Sequence, residues 1–283
     1  MKILYITKGD HVDYQNDCLL IGLKELYGSD IVDFNKQCHN YESYDGDIFK
    51  FWGKGFTVTK VLPDLEVDRN DITSKIKNKY YDYIVYGSIW RCSDHINEIL
   101  KYYPPNKIIC VDGEDHTDIN YVYSLGTLYF KREMTHKSNR IFPISFAFPT
   151  NKVNFNKKKI KDMAHINPFD LSTYIYNNEK DYYNDYSEAR FGITSKKAGW
   201  DCMRHYEIMA NGNIPFFIRL EDCPQSTMIT FPKDICLKVK NELTSIPANI
   251  VYEKYINDLE NHFLKYNTTK QLAKYFISNI INK

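Results

Sequence analysis

The stretch "GWDCMRHYEIMANGNIPFF" (199–217) holds an arginine and a glutamate three residues apart, Arg204 and Glu207. A strand-like run, "RFGITS" (190–195), leads through Lys196, Lys197 and Gly199 into helical spacing that resumes near Trp200 and Asp201. A helix N-terminus offers free N–H groups and a partial positive charge, which suits a phosphate. Lys196 and Lys197 add full charges in the preceding loop, and Gly199 lets the backbone approach a ligand. Arg204 falls in the first helical turn, where its planar fork can hold diphosphate oxygens bidentately. Glu207 lies one turn on, on the same face. A carboxylate there repels phosphate but accepts hydroxyl protons, such as those of a ribose. The pair is expected to read a diphosphate and a ribose. The plainer expectation is an intrahelical ion pair worth about 0.2–0.5 kcal/mol.

A second group, "VDGEDH" (111–116), follows the most apolar strand-like run of the chain, "KIICV". Asp112, Glu114, Asp115 and His116 crowd titratable groups at a strand end. Crowded carboxylates raise one another's pKa values, and one of them could deprotonate an acceptor hydroxyl. Asp112 ranks first because it leaves the strand where backbone direction is best fixed. Asp115 ranks second, since a helix start there would weaken it as a base. His116 is the substitute, since an imidazole is the side chain suited to general-base work near neutral pH. Two other readings stay open: an acidic turn in which Asp115 or Thr117 caps a helix, and a metal site, for which no second His/Asp cluster has matching spacing. Asp45-Gly46-Asp47 follows no convincing strand and reads as a turn. The run ending in Lys131, Arg132 and Glu133 reads either as bringing a cleft-facing lysine to meet donor phosphate or hold the two domains closed, or as a solvated helix end.

The elements that would carry these groups alternate. "KILYIT" (2–7), an amphipathic stretch (13–26) and "DIVDF" (30–34) form a β-α-β unit, hence a parallel sheet with a right-handed crossover. Residues 40–70 have mixed signals and read as an irregular excursion. Further helices are expected over 69–80 and 94–103, with strands at 81–88 and 107–111. The lysine-rich, aperiodic "NKVNFNKKKIKD" (151–162) reads as a solvated linker and places a domain boundary near 150. Beyond it come a tyrosine-rich helix (172–189), the motif above, the strand "IPFFI" (214–218) and two closing helices (249–265 and 268–281). Two Rossmann-like α/β domains, 1–150 and 151–283, are expected to face one cleft at the C-terminal ends of their strands. Gly9 follows the first strand without Gly-x-Gly-x-x-Gly, so nicotinamide dinucleotide binding is unsupported.

Glu207, Ala210, Gly212, Ile214 and Pro215 resemble the second half of the donor-binding motif of GT-B glycosyltransferases. That resemblance implies donor-ribose binding by Glu207 and a nucleotide-sugar as co-substrate, with no metal required. Many retaining members carry a further glutamate eight positions earlier, where this chain has Gly199. The order "YYDYIVYGS", "HINEILKYY", "KIICVDGEDH" is similar in layout to viral DNA glucosyltransferases of the same class. It implies Asp112 or Asp115 as the base. The first half is covered by layout only.

Lysine and arginine number 37 against 36 acidic residues, a formal charge of +1. That balance argues against broad nucleic-acid binding and favours a carbohydrate or glycoconjugate acceptor. A modified DNA base is the alternative acceptor, with the 151–162 lysines as its only footprint. A non-catalytic nucleotide- or sugar-binding protein of the same fold is the rival class. Seven unclustered cysteines suggest free thiols in a reducing compartment. No apolar run reaches ~18 residues, and "MKILYIT" reads as a strand rather than a leader. A cytoplasmic protein without a membrane span is the expectation.

Overall fold

The computed structural model describes residues 1–9, 11–134, 140–155 and 158–281. Its first sheet has six parallel strands: β1 (Ile3–Ile6), β2 (Ile31–Asp33), β3 (Tyr83–Tyr86), β4 (Ile108–Asp112), β5 (Leu128–Lys131) and β6 (Ile141–Pro143). Their spatial order is β2-β1-β3-β4-β5-β6, with every pairing parallel. Strands covered on both faces read as continuous apolar runs; accordingly β1, β3 and β4 are buried throughout. The chain adds β2 on one side of β1 and β3 on the other, so the order reverses between β1 and β3. Ligand sites of open α/β sheets collect at the strand ends there.

The second sheet is β7 (Lys161–Met163), β8 (Ala189–Ser195) and β9 (Ile214–Ile218), again parallel, with β8 in the middle. Ser195 pairs with Ile218 at its C-terminal edge. The 196–202 loop therefore leaves from that edge into the next helix. The chain is thus an α/β protein with two parallel sheets, consistent with Rossmann-like domains.

Eight α-helices accompany the sheets among the described residues: α1 (Tyr14–Tyr27), α2 (Ile72–Lys77), α3 (Ile96–Tyr102), α4 (Glu179–Glu188), α5 (Met203–Ala210), α6 (Lys233–Glu242), α7 (Ala248–Tyr266) and α8 (Thr269–Ile281). Asp13 caps α1 by accepting from the amides of Gln15 and Asn16. The last helix, α8, returns to pack on α1, and one apolar cluster runs from Ile3 through Phe191 to Ile280. Gly22 makes the α1–α8 contact possible. A Cβ there would stand 2.0 Å from the Thr269 carbonyl oxygen, a backbone atom that cannot turn aside. Gly22→Ala should lower the unfolding free energy by about 1–3 kcal/mol, the usual range for overpacking, read as a lower urea midpoint at constant slope. No loss of stability would mean that α8 is not seated there.

Several boundaries differ from the sequence expectation. The helix expected over 69–80 is only Ile72–Lys77, and the tyrosine-rich helix begins at Glu179 rather than 172. Lys131 ends strand β5, so 131–133 is no solvated helix end. The lysine run ends in the short edge strand β7, while its residues 156–157 lie outside the described residues. Asp45–Asp47 lies in irregular chain, as expected. No helix is long and apolar enough to cross a membrane among the described residues.

Candidate functional site

Helix α5 starts at Met203, so Arg204 does sit in its first turn and Glu207 one turn on. Their mutual ion pair is not made among the described residues. Both Glu207 oxygens are taken: Oε1 accepts from the Thr57 hydroxyl at 2.5 Å and Oε2 from the Tyr182 hydroxyl at 2.6 Å. Glu207 is 5% exposed, and burial raises its pKa against the opposing pull of those two hydroxyls and of Arg204. Arg204 Nε and Nη1 are buried without a hydrogen-bond partner among the described residues. The guanidinium lies over the Tyr174 ring, 5.1 Å from its centroid. A buried donor left unpaired costs about 1–3 kcal/mol, more when charged. Such a group calls for a partner, and an anion would answer it. Lys196 and Lys197 are exposed. Lys196 Nζ stands 5.3 Å from the Trp200 ring centroid, and Lys197 Nζ reaches the Pro168 carbonyl at 3.5 Å.

The 196–202 loop is clamped from both sides. His205 is fully buried, and burial lowers its pKa to about 3. It is therefore neutral, with Nε2 donating to the Trp200 carbonyl at 2.9 Å and Nδ1 accepting from Thr194 at 2.8 Å. From the first half comes Arg132, 2% exposed, which donates to the carbonyls of Gly113 and Asp201 and to the carboxylates of Glu133 and Asp115. Glu133 in turn accepts from the Asp201 amide at 2.9 Å. Gly199 is buried against this group: a Cβ would lie 2.6 Å from Glu133 Oε1 and 2.7 Å from Asp115 Oδ1. Asp115 and the Gly199 loop, far apart in sequence, are thus neighbours through Arg132.

Asp201 completes the junction, with Oδ2 accepting from the Phe146 amide and Oδ1 from the Tyr206 hydroxyl, both at 2.9 Å. Burial pushes its pKa up to about 6, opposed by Arg132. A raised pKa means that the neutral form suits the folded state. Its stabilising contribution is complete below the ordinary value near ~3.9 and is lost as pH rises through about 6. Lowering the pH from 7 to 5 should therefore raise the melting temperature of the wild type relative to Asp201→Asn. A difference independent of pH would refute this.

Of the acid cluster, Asp112 is fully buried and saturated. Oδ1 accepts from Lys131 Nζ at 2.8 Å and from the Glu114 amide at 3.1 Å. Oδ2 accepts from Trp90 Nε1 at 2.8 Å and from the Tyr129 hydroxyl at 2.5 Å. Asp115 is 52% exposed, with Oδ1 on Arg132 and no partner at Oδ2 among the described residues. His116 is also exposed, edge-on to Trp90 at 5.0 Å, with Asp118 3.6 Å from Nδ1. No helix starts at 115–117; the next helical turn is capped by Asn120. The capping role for Asp115 or Thr117 is therefore corrected, and with it the dipole argument that ranked Asp115 lower. No group of three or more His, Cys, Asp or Glu able to hold a metal occurs among the described residues.

Arg132, Thr57, Tyr182 and Asp201 were not singled out from sequence. Asp201 lies inside the quoted motif, and Arg132 was noted only within a charged triplet. Thr57 carried no signal, because its contact with Glu207 spans 150 residues. At the β1–β3 reversal the Ser88 hydroxyl donates to Asp13 at 2.8 Å, and a fully buried Asp17 holds His39 at 3.0 Å. Compared with known proteins, the chain matches no family model and no curated sequence.

Proposed function

We propose that the chain is a GT-B-type glycosyltransferase that moves a sugar from a nucleotide-sugar to a hydroxyl acceptor. Residues 151–283 form its donor side and residues 1–150 its acceptor side, across a cleft at the strand ends. The observation that carries the reading is Arg204: a half-buried arginine whose Nε and Nη1 are buried and unpaired among the described residues, one helical turn from a carboxylate that already receives two hydroxyl protons. A diphosphate would fill the first and a ribose diol the second. Lys196 and Lys197 flank the diphosphate, and Gly199 keeps the loop tight against the first half. The acceptor-side base is Asp115, whose Oδ2 is free to take a proton and whose Oδ1 is oriented by Arg132. Asp112 holds the strand end together, and His116 is the alternative base. No metal is needed in this scheme, since Arg204 and the lysines carry the positive charge.

Thermal-shift screening against UDP-, GDP-, ADP- and CMP-sugars tests the reading. A ligand at about 100 times its dissociation constant stabilises by about 2.7 kcal/mol. Absence of any shift across the panel would sink it. The acceptor is a carbohydrate or glycoconjugate, given the near-neutral charge. Acceptor affinity should therefore change little with salt, whereas a DNA acceptor would show a steep fall. The saturation of Asp112 favours one second reading, a nucleotide- or sugar-binding protein without transfer activity. That version predicts donor binding with no turnover and no effect of Asp115→Asn.

A further inference from the structure

Between β2 and α2 the chain runs irregularly, and one part of it has an unusual backbone. Lys54 (φ 57°), Thr57 (φ 78°) and Lys60 (φ 54°) are left-handed, together with Gly53 (φ 59°) and Gly55 (φ 65°). For a β-branched residue such as Thr57 this is rare. It persists only where the surroundings over-determine it. For Thr57 these surroundings belong to the second half. The Thr57 amide donates to Glu179 at 2.5 Å, and its hydroxyl, 2.6 Å from that of Tyr183, donates to Glu207. Lys54 Nζ donates to the Tyr176 carbonyl and, at 2.7 Å, to Asn177 Oδ1. Toward the first half, Phe51 packs on His39 and the Tyr14 hydroxyl donates to the Trp52 carbonyl. On that side too the Val58 carbonyl accepts from Asn40 Nδ2 at 3.0 Å, the Lys60 amide donates to the His39 carbonyl at 2.9 Å, and the Val58 side chain is fully buried.

Glu207 thus receives two hydroxyl protons from two different elements, the pattern that the vicinal hydroxyls of one sugar would present to it. One turn away, Arg204 Nε and Nη1 donate to nothing among the described residues. The carboxylate is masked while the cation waits. We propose that residues 51–60 are a displaceable strap in which Thr57, with Tyr182, stands in for a vicinal diol on Glu207, so that the site selects ligands joining an anion to a cis-diol, ribonucleotides above deoxyribonucleotides. This rests on the reading of Glu207 as the ribose carboxylate. Thr57 is the hydroxyl that leaves, because its segment is strained and Tyr182 is held within α4. The exchange loses no hydrogen bond at Glu207: two ligand hydroxyls replace the strap's one and share the carboxylate with Tyr182. A ligand without the diol would leave a buried carboxylate oxygen unpaired on evicting Thr57. Sites built around a hydroxyl discriminate strongly against analogues that lack it.

The test measures calorimetric affinity for ADP, GDP, UDP and CDP and for their 2′,3′-dideoxy counterparts, with amide hydrogen exchange over 51–60. The bound ribonucleotide should speed exchange across the strap, and its dideoxy counterpart should bind at least tenfold more weakly without doing so. Thr57→Val, which removes the hydroxyl and keeps the shape, should tighten ribonucleotide binding about tenfold and speed exchange without ligand. Lys54→Met, which cuts another anchor of the strap without touching Glu207, should act in the same direction and serves if Thr57→Val does not fold. If Glu207→Gln weakens ribonucleotide binding while neither strap variant changes affinity or exchange, the strap is wrong and the ribose reading stands. If none of the four nucleotides binds the wild type or either strap variant, the ribose reading falls and the strap with it.

Discussion

Lys131→Ala should lower the unfolding free energy by about 3–5 kcal/mol, the range for breaking a buried ion pair. Lys131 and Asp112 are both fully buried and 2.8 Å apart, at neighbouring positions of β5 and β4. Among the described residues, the ammonium is the only full positive charge bonded to Asp112. Truncating it leaves a desolvated carboxylate with three neutral donors, from Trp90, Tyr129 and the Glu114 amide. Most of the loss therefore reflects the charge left behind rather than the strength of the contact. Asp112→Leu combined with Lys131→Met removes both charges and should recover part of the stability, less the cost of the three donors left without an acceptor. Equilibrium urea unfolding separates the outcomes, since the midpoint moves while the slope is kept. A single-mutant loss below about 1 kcal/mol would place the pair at the exposed end of the scale and return Asp112 to candidacy as a base.

On the proposed reading of Asp115 as general base, Asp115→Asn should reduce turnover by about 10²–10⁴ at saturating donor, the usual effect of such a loss. Donor affinity should be unchanged, because the carbonyl oxygen of the introduced amide would still accept from Arg132. Asp112→Asn should act differently, lowering stability first and turnover only through the shape of the strand end. His116 is exposed and held only by Trp90 and Asp118 among the described residues, so His116→Ala should cost less than about tenfold, well short of general-base loss. Near-normal turnover in Asp115→Asn together with a collapse in His116→Ala would reverse the assignment.

The strand-helix alternation of the first 34 residues was legible because burial on both faces demands unbroken apolar runs such as "ILYI". The start of α5 was legible to within three residues for a similar reason: a glycine loop and an apolar period mark it locally. Residues 161–163 pair as β7 although they lie in a lysine-rich run, because an edge strand needs only one partner and tolerates charge. The α6 helix, Lys233–Glu242, went unread because only Cys236 and Val239 are buried, too few for a clear apolar stripe. The acid cluster was found as a group, but its inner order was not. Which acid is saturated depends on Lys131 and Tyr129 across the sheet and on Trp90, none of them local in sequence. Thr57 shows the same limit more sharply, since its role exists only once residues 150 apart are brought together.

The central claim is that Arg204 and Glu207 form the donor site, and calorimetry with nucleoside diphosphates tests it most directly. One charge-assisted hydrogen bond contributes about 1.5–3 kcal/mol. Arg204→Ala should therefore weaken binding of the diphosphate that the wild type recognises by roughly ten- to over a hundredfold, with the fold intact. An unchanged dissociation constant in a folded Arg204→Ala protein would contradict the account.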